Sequence, residues 1–460
     1  MEFDAVFLSR LQFAFTVAFH IIFPSFTIGL SAWIATLLVM WRTTGRDHYR
    51  ELARFWTRIF AVSFGMGVVS GIVMSYEFGT NWSHFSAVVG NVVGPLIGYE
   101  VLTAFFLEAT FLGILLFGWN RVPPGLLVLA SILVAVGTLF SAFWIISANS
   151  WMQFPTGHVM RDGIAYPDDW IAAIFSPTFP YRLAHMVTAA YLTTAFVVIA
   201  TGARFLIAGM HREHAMTMLR MGLGMAVVLA PLQLIVGDES GRDVLAAQPA
   251  KLAAIEAHWE GAPPVPLVLF AIPDEKLERN LYEFSVPYLG SLIVTRSLDG
   301  AFPALKDFAP EDRPPLLLPF FTFRLMVGLG LLMILIAFWG GVQWWRGRLE
   351  QSPRFLRIAS LSWPIGFIAI LSGWVVAEVG RQPWLVTGIL RTEDAASAVE
   401  AGAVAATLVL FVIVYAIVFS AGLVYMNRLI RFGPVPGETP EGLPSRPLSA
   451  ATGARPTGGG

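Results

Sequence analysis

Seven ionisable side chains interrupt the long apolar stretches of this sequence: His20, Glu77, Glu100, Glu108, His185, Arg324 and Glu378. At membrane depth such groups are costly, so each is a functional candidate. His185 opens one apolar stretch, and Met326 sits near the start of a much later one. Histidine with methionine is the axial pair of many low-spin electron-transfer haems, the soft sulfur raising the potential. The plainer alternative is a packing methionine and a histidine bonded to a carbonyl. Glu100 and Glu108 are eight residues apart on one stretch, about 12 Å along a helix. Two carboxyls stepped in this way suit a proton relay, because each can be held neutral and pass a proton on. Ordinary hydrogen bonding explains any one of these groups, but every further buried carboxyl adds cost.

The elements that must position these residues are membrane spans. About 20 apolar residues cross a bilayer as a helix. Nine stretches qualify: 11–41, 56–78, 95–118, 125–149, 184–208, 217–236, 320–345, 356–378 and 402–427. The first is too long, and its start too acidic, for a cleaved signal. Alternate connections and the tail carry 17 arginines, among them Arg42, Arg46, Arg50, Arg54 and Arg58. The short connections opposite, with the N-terminus, carry five: Arg10, Arg161, Arg182, Arg381 and Arg391. By the positive-inside rule the N-terminus lies outside and the C-terminus in the cytoplasm. His185 and Met326 then share a depth near the outer face. The expected fold class is an all-α, polytopic membrane bundle of about nine helices.

Composition agrees. Of 460 residues, 56% are hydrophobic and 13% charged, against about 25% charged in soluble domains. The absence of cysteine excludes disulfides, thiolate-ligated haem and cysteine-held iron–sulfur clusters. The net charge of −1 is the sum of a basic cytoplasmic side, an acidic outer side and an acidic span interior. The expected organisation is 1–236, six spans with most of the ionisable candidates; 237–319, one long outer connection; 320–431, three spans; and 432–460, a Pro/Gly/Ser-rich tail expected to be disordered. An 83-residue connection without structure is unusual, so the loop is expected to be partly folded or functional.

Five motifs sharpen the reading: FGTNW (78–82), SAFWIISANSWMQFPTG (141–157), GDESG with QPAKLAAIEAHWE (237–241 and 248–260), FFTFRLMVGLG (320–330) and GWVVAEVGRQPW (373–384). In this order and on these spans, the chain resembles subunit I of the cytochrome bd-type quinol oxidases over nearly its whole length, to about residue 431. The resemblance implies that His185 and Met326 hold a low-spin haem b, with Arg324 near its propionates. It implies that His20 and Glu378 ligate a high-spin haem b and a haem d, or a further haem b in the place of haem d, with Trp374 between haems. Glu100, Glu108 and Ser141 would form a proton path from the cytoplasm, and Lys251 and Glu256 would serve quinol oxidation. The short loop resembles the cyanide-insensitive branch. Ser75 and Ala109 stand where familiar members often have Glu and Ser, and Glu77 is a candidate local substitute.

The activity so implied is ubiquinol or menaquinol oxidation near the outer face and O2 reduction to water with cytoplasmic proton uptake, generating proton motive force without a pump. Implied partners are subunit II, a small single-helix third subunit, quinol, O2 and the lipid bilayer of a bacterial inner membrane; no nucleic acid is expected. Rivals fit less well. A haem–copper oxidase needs an adjacent histidine pair, and none of the eight histidines is adjacent to another. A bc-type cytochrome b needs paired histidines on the same two helices. A proton-coupled transporter should show inverted repeats and broken midplane helices, and no internal repeat stands out.

Overall fold

The structure is a computed structural model and describes residues 4–434. Eight of the nine apolar stretches become helices longer than the runs that seed them, because polar flanks continue the backbone ladder beyond hydrocarbon depth; the stretch 356–378 is broken into two shorter helices. The helices are α1 (Ala5–Thr44), α2 (Asp47–Thr80), α3 (Ser83–Phe117), α4 (Pro124–Gln153), α5 (Phe179–Ile207) and α6 (Arg212–Ala247). There follow a short α7 (Pro249–Glu256), then α8 (Leu317–Trp345), α9 (Pro353–Leu361), α10 (Ile365–Val379) and α11 (Ala401–Phe432). Among the described residues eight of these are individually long and apolar enough to span, and α9 with α10, bent by 40°, brings the number to nine if the pair is counted as one span. The break falls at Pro364, where proline removes a donor and disfavours helix in the residue before it.

Local chemistry sets the ends. Asp4 caps α1 by accepting from the Phe7 amide at 2.7 Å. Gly45, at φ 69°, ends it in the left-handed conformation that glycine adopts without strain. The outer loop expected from residue 237 begins only after Ala247, since α6 carries the GDESG motif as helix. The loop is folded as expected: it holds α7, an antiparallel hairpin of Leu267–Asp274 with Arg279–Val286, and a short helix, Leu289–Thr295. The part of the predicted tail from residue 435 lies outside the described residues.

Helix α3 is not uniform. Val101–Phe105 form a π-helical turn between Glu100 and Glu108. In a plain α-helix, positions eight apart differ by about 80° around the axis. One residue accommodated in a π turn removes about 100° of that advance. Glu100 and Glu108 therefore fall about 20° apart, on nearly the same face.

The connections interlock at each end of the bundle. On the side expected to be outer, the Thr387 amide bonds the Met152 carbonyl at 3.1 Å and the Phe85 amide bonds Ala395 at 3.1 Å. At the opposite end, Arg50 donates to the Trp119 carbonyl at 2.9 Å, and His214 meets Glu51 at 2.8 Å. The largest buried cluster, with Trp56, Phe60, Leu37 and Leu38, packs α1 and α2 with the ends of α3 and α4. The polar candidates lie outside it, around a cavity.

Candidate functional site

That cavity measures about 1650 Å³, beyond the roughly 300–1,000 Å³ of a site for one small ligand. Of the twelve side chains given candidate roles in the sequence, ten line it: His20, Glu100, Glu108, Ser141, His185, Lys251, Glu256, Met326, Trp374 and Glu378. They come from α1, α3, α4, α5, α8 and α10 and from α7 of the outer loop, and are thus brought to one space. Arg324 does not line it.

Three candidate ligands each rest against a glycine. A Cβ at Gly237 would lie 3.2 Å from His185 Cε1, at Gly71 3.1 Å from His20 Cε1, and at Gly373 2.8 Å from Met326 Sδ. Each glycine lets a neighbouring helix approach the ring or sulfur without displacing it. His20 Nδ1 meets Ser70 Oγ at 3.1 Å. A histidine ligand has its other nitrogen fixed in this way, which orients the ring. The Gln233 amide nitrogen lies 3.2 Å from His185 Nδ1 and 3.4 Å from Nε2.

Glu378 ends α10 in a dense polar cluster. Its Oε1 accepts from Asn149 at 3.0 Å and from Gln153 at 3.4 Å, and its Oε2 pairs with Arg381. Arg182 donates to Asn149. Lys251 Nζ reaches Gln153 Oε1 at 2.7 Å and Gln248 Oε1 at 2.6 Å. Gln153 therefore bridges Lys251 of the outer loop to Glu378. Burial, and then the nearby Arg182, hold Lys251 well below the usual lysine range, although Glu378 opposes the shift.

Arg324, expected beside a haem propionate, is held by the outer loop. Its guanidinium stacks 3.6 Å over the Phe320 ring. It donates to the Ile255 carbonyl at 2.6 Å and, through Nε, to the Val268 carbonyl at 3.0 Å, and it pairs with Glu256 at 3.3 Å. It fastens the outer loop to α8. Burial pushes the Glu256 carboxyl above the usual glutamate range, and Arg324 partly offsets this.

On α3, Ser141 Oγ donates to Glu100 Oε1 at 2.7 Å. Glu108 is buried with Oε1 unpartnered and packs against Gly137, where a Cβ would lie 2.7 Å from its Cγ. Glu77 is buried too, but it accepts from Thr16 at 3.0 Å and does not line the cavity. Ser75, which does line it, bonds the Gly71 carbonyl at 3.0 Å.

The residues present fit haem groups. The donor set of two histidines, a thioether and a carboxylate suits iron, and the cavity wall is largely apolar. Buried Arg182 Nε and Arg381 Nε and Nη1 have no partner, as expected of donors awaiting an anionic group such as a propionate. Arg182, Asn149, Gln153, Gln233 and Arg381 were not singled out by sequence reasoning. Asn149 and Gln153 carry a faint signal, being amides at i and i+4 in an apolar span. Arg182 and Arg381 read there only as loop charges.

The sequence matches the family described as "Cytochrome bd terminal oxidase subunit I" over residues 8–434. It is 33% identical to the cytochrome bd-II ubiquinol oxidase subunit 1 of Escherichia coli (strain K12), covering 94% of this chain and 97% of that one. It is 34% identical to the cytochrome bd ubiquinol oxidase subunit 1 of Bacillus subtilis (strain 168), covering 89% and 90%. Among solved structures it resembles the bd oxidase from Geobacillus thermodenitrificans at a TM-score of 0.87 and 31% identity, covering 94% of this chain and 99% of that one.

Proposed function

We propose, for a chain that belongs to the family of cytochrome bd terminal oxidase subunit I, a division of labour within the one cavity described above. The chain is a subunit of a terminal quinol oxidase, a haem enzyme, and a multi-pass bacterial membrane protein. The finer reading assigns His185 and Met326 to a low-spin haem b, and His20 and Glu378 to two high-spin haems, one of b type and one of d type or a further b, with Trp374 between haems. When bound, these groups would accept electrons one at a time and bind and reduce O2 to water.

The chain's own residues do the rest. Glu256 is placed to take a proton from a quinol hydroxyl, with Arg324 holding the carboxylate in position. Lys251, directed by Gln153 and Gln248, is placed to hydrogen-bond a quinol oxygen. Quinol oxidation releases two protons and two electrons, so a base beside a cation suits it. Glu100 and Glu108, brought to one face by the π turn, form with Ser141 a proton path from the cytoplasmic side. Reduction of one O2 consumes four electrons and four protons. Protons released outside and taken up inside charge the membrane without a pump.

The working division is 1–236 and 320–431 as haem-bearing spans, 237–319 as the quinol loop and 432–460 as a tail. The N-terminus lies outside, and the membrane is the bacterial inner one. Subunit II and a small single-helix subunit are the proposed partners, and ubiquinol or menaquinol the electron donor. The observation that carries this reading is the Lys251–Gln153–Glu378 bridge, which makes the loop site and the carboxylate ligand site continuous.

A reduced-minus-oxidised spectrum of the purified complex tests it. Haem b bands are expected; a long-wavelength chlorin band marks haem d, and loss of all haem bands overturns the reading. Glu108→Gln, which removes the proton from play, is expected to slow quinol-driven O2 uptake about 10²-fold or more. Stopped-flow reduction of the haems by quinol should remain at its parent rate, because that step precedes proton uptake.

A further inference from the structure

The outer loop carries an apolar face that neither the cavity nor the loop core covers. The hairpin Leu267–Asp274 with Arg279–Val286 exposes Leu269, Phe270, Ile272, Tyr282 and Phe284, the last two at 81% and 64%. Such a patch on a soluble loop would be an aggregation hazard.

Its position is fixed by bonds to a membrane-spanning helix. Near one end of the hairpin, the Val268 carbonyl accepts from Arg324, in the second turn of α8. At the other, Glu275 accepts from the Leu316 amide at 3.1 Å, just before α8, and Glu278 pairs with Arg313 at 2.6 Å. Phe270 meets Phe321 of α8 with ring centroids 6.1 Å apart. From Leu316 to Arg324 is about 12 Å of helix, so the hairpin lies along that length of α8. The 29 residues of α8 run about 43 Å, close to the roughly 40–45 Å of a bilayer with its headgroups. With α8 set across a bilayer, the hairpin would stand level with the headgroup–acyl boundary at the N-terminal end of that helix. Exposed Leu317, Leu318 and Leu325 of α8 continue its apolar surface.

The charges agree with this placement. Asp274, Glu275, Lys276, Glu278 and Arg279 gather at the turn, where two of them are tied to the segment before α8. Register shifts between Val268 and Ile272 mark irregular pairing, and irregularities of this kind re-aim side chains. Tyr282, at φ 52°, stands outward, and an aromatic ring with a polar tip favours the membrane–water interface.

We propose that this hairpin is an interfacial membrane element, its Phe270, Ile272 and Phe284 face seated among the acyl chains of the outer leaflet. It holds the mouth of the Lys251 and Glu256 site at the lipid surface.

The absence of cysteine from the chain makes the test direct. Ile272→Cys, Phe284→Cys and Lys276→Cys are each introduced into the whole oxidase complex and spin-labelled. The complexes are reconstituted in 3:1 phosphatidylethanolamine–phosphatidylglycerol vesicles, with the unsubstituted complex as baseline. Power saturation then compares relaxation by O2, which concentrates in lipid, with relaxation by a water-soluble nickel chelate. Labels at 272 and 284 are expected to respond several-fold more to O2 than to nickel, and the label at 276 to do the reverse. A nickel response at 272 and 284 equal to that at 276 overturns the proposal, since the face is then in water. Silence to both reagents also overturns it, since protein then covers the face. Tyr282→Cys, at a position with little packing to lose, repeats the measurement if Phe284→Cys fails to assemble. Its label is expected to respond to O2 ahead of nickel, and a dominant nickel response there counts against the proposal.

Discussion

His185→Ala and Met326→Ala complexes will each lose the six-coordinate low-spin haem signal, and quinol-driven O2 uptake will fall by about two orders of magnitude or more. Loss of a group that only hydrogen-bonds a metal ligand typically costs about 10–100-fold, and loss of the ligand itself removes the bond. Electron paramagnetic resonance of the oxidised complex reads the low-spin signal directly. Gly373→Val is the sharper arm. A Cβ at Gly373 would stand 2.8 Å from Met326 Sδ, so the added side chain drives the sulfur from its seat without touching residue 326. It should reproduce the Met326→Ala spectrum. Retention of the six-coordinate signal in both alanine variants would refute the ligand pair. Retention in Gly373→Val alone would show that the sulfur has slack.

The second large effect belongs to Glu256. Glu256→Gln keeps the shape and removes the base, so kcat/KM for quinol is expected to fall about 10²–10⁴-fold with the haem bands intact. The pH profile carries the sign. Burial raises the Glu256 pKa and Arg324 lowers it. The active carboxylate is lost as pH falls through that raised value. The acid limb of kcat/KM should therefore lie above the roughly 4.3 of an ordinary glutamate. Arg324→Gln takes away the opposing charge, so the limb should move to higher pH. A limb unmoved by Arg324→Gln would mean that another group sets it.

The spans were legible because long apolar runs have few other uses, and the intramembrane ionisable groups because they are so rarely tolerated there. Ten of the twelve candidate side chains accordingly line one cavity. What stayed hidden depends on three-dimensional register. The π turn at Val101–Phe105 has no composition that distinguishes it from α-helix, yet it aligns Glu100 with Glu108. Arg324 sits two residues before a candidate ligand, and its long side chain turns to the loop backbone, where carbonyls satisfy it. Gln153 lies four residues past the expected end of its span at 149, and its bridging role exists only once α7 and α10 converge on it. The stretch 356–378 was read as one continuous span because hydropathy averages over the break that Pro364 introduces.

The fastening of the loop by Arg324 bears on how the protein is made. The ribosome delivers Lys251 and Glu256 well before Arg324, so a chain halted ahead of α8 holds the loop's residues without the cation that seats Glu256 or the backbone grip on Val268. Gln153 already waits in α4, but Glu378 comes later still. The order of synthesis thus leaves this corner of the protein open until the seventh and eighth spans have both been made. Its completion reports that the seventh and eighth spans have both been inserted in the right direction.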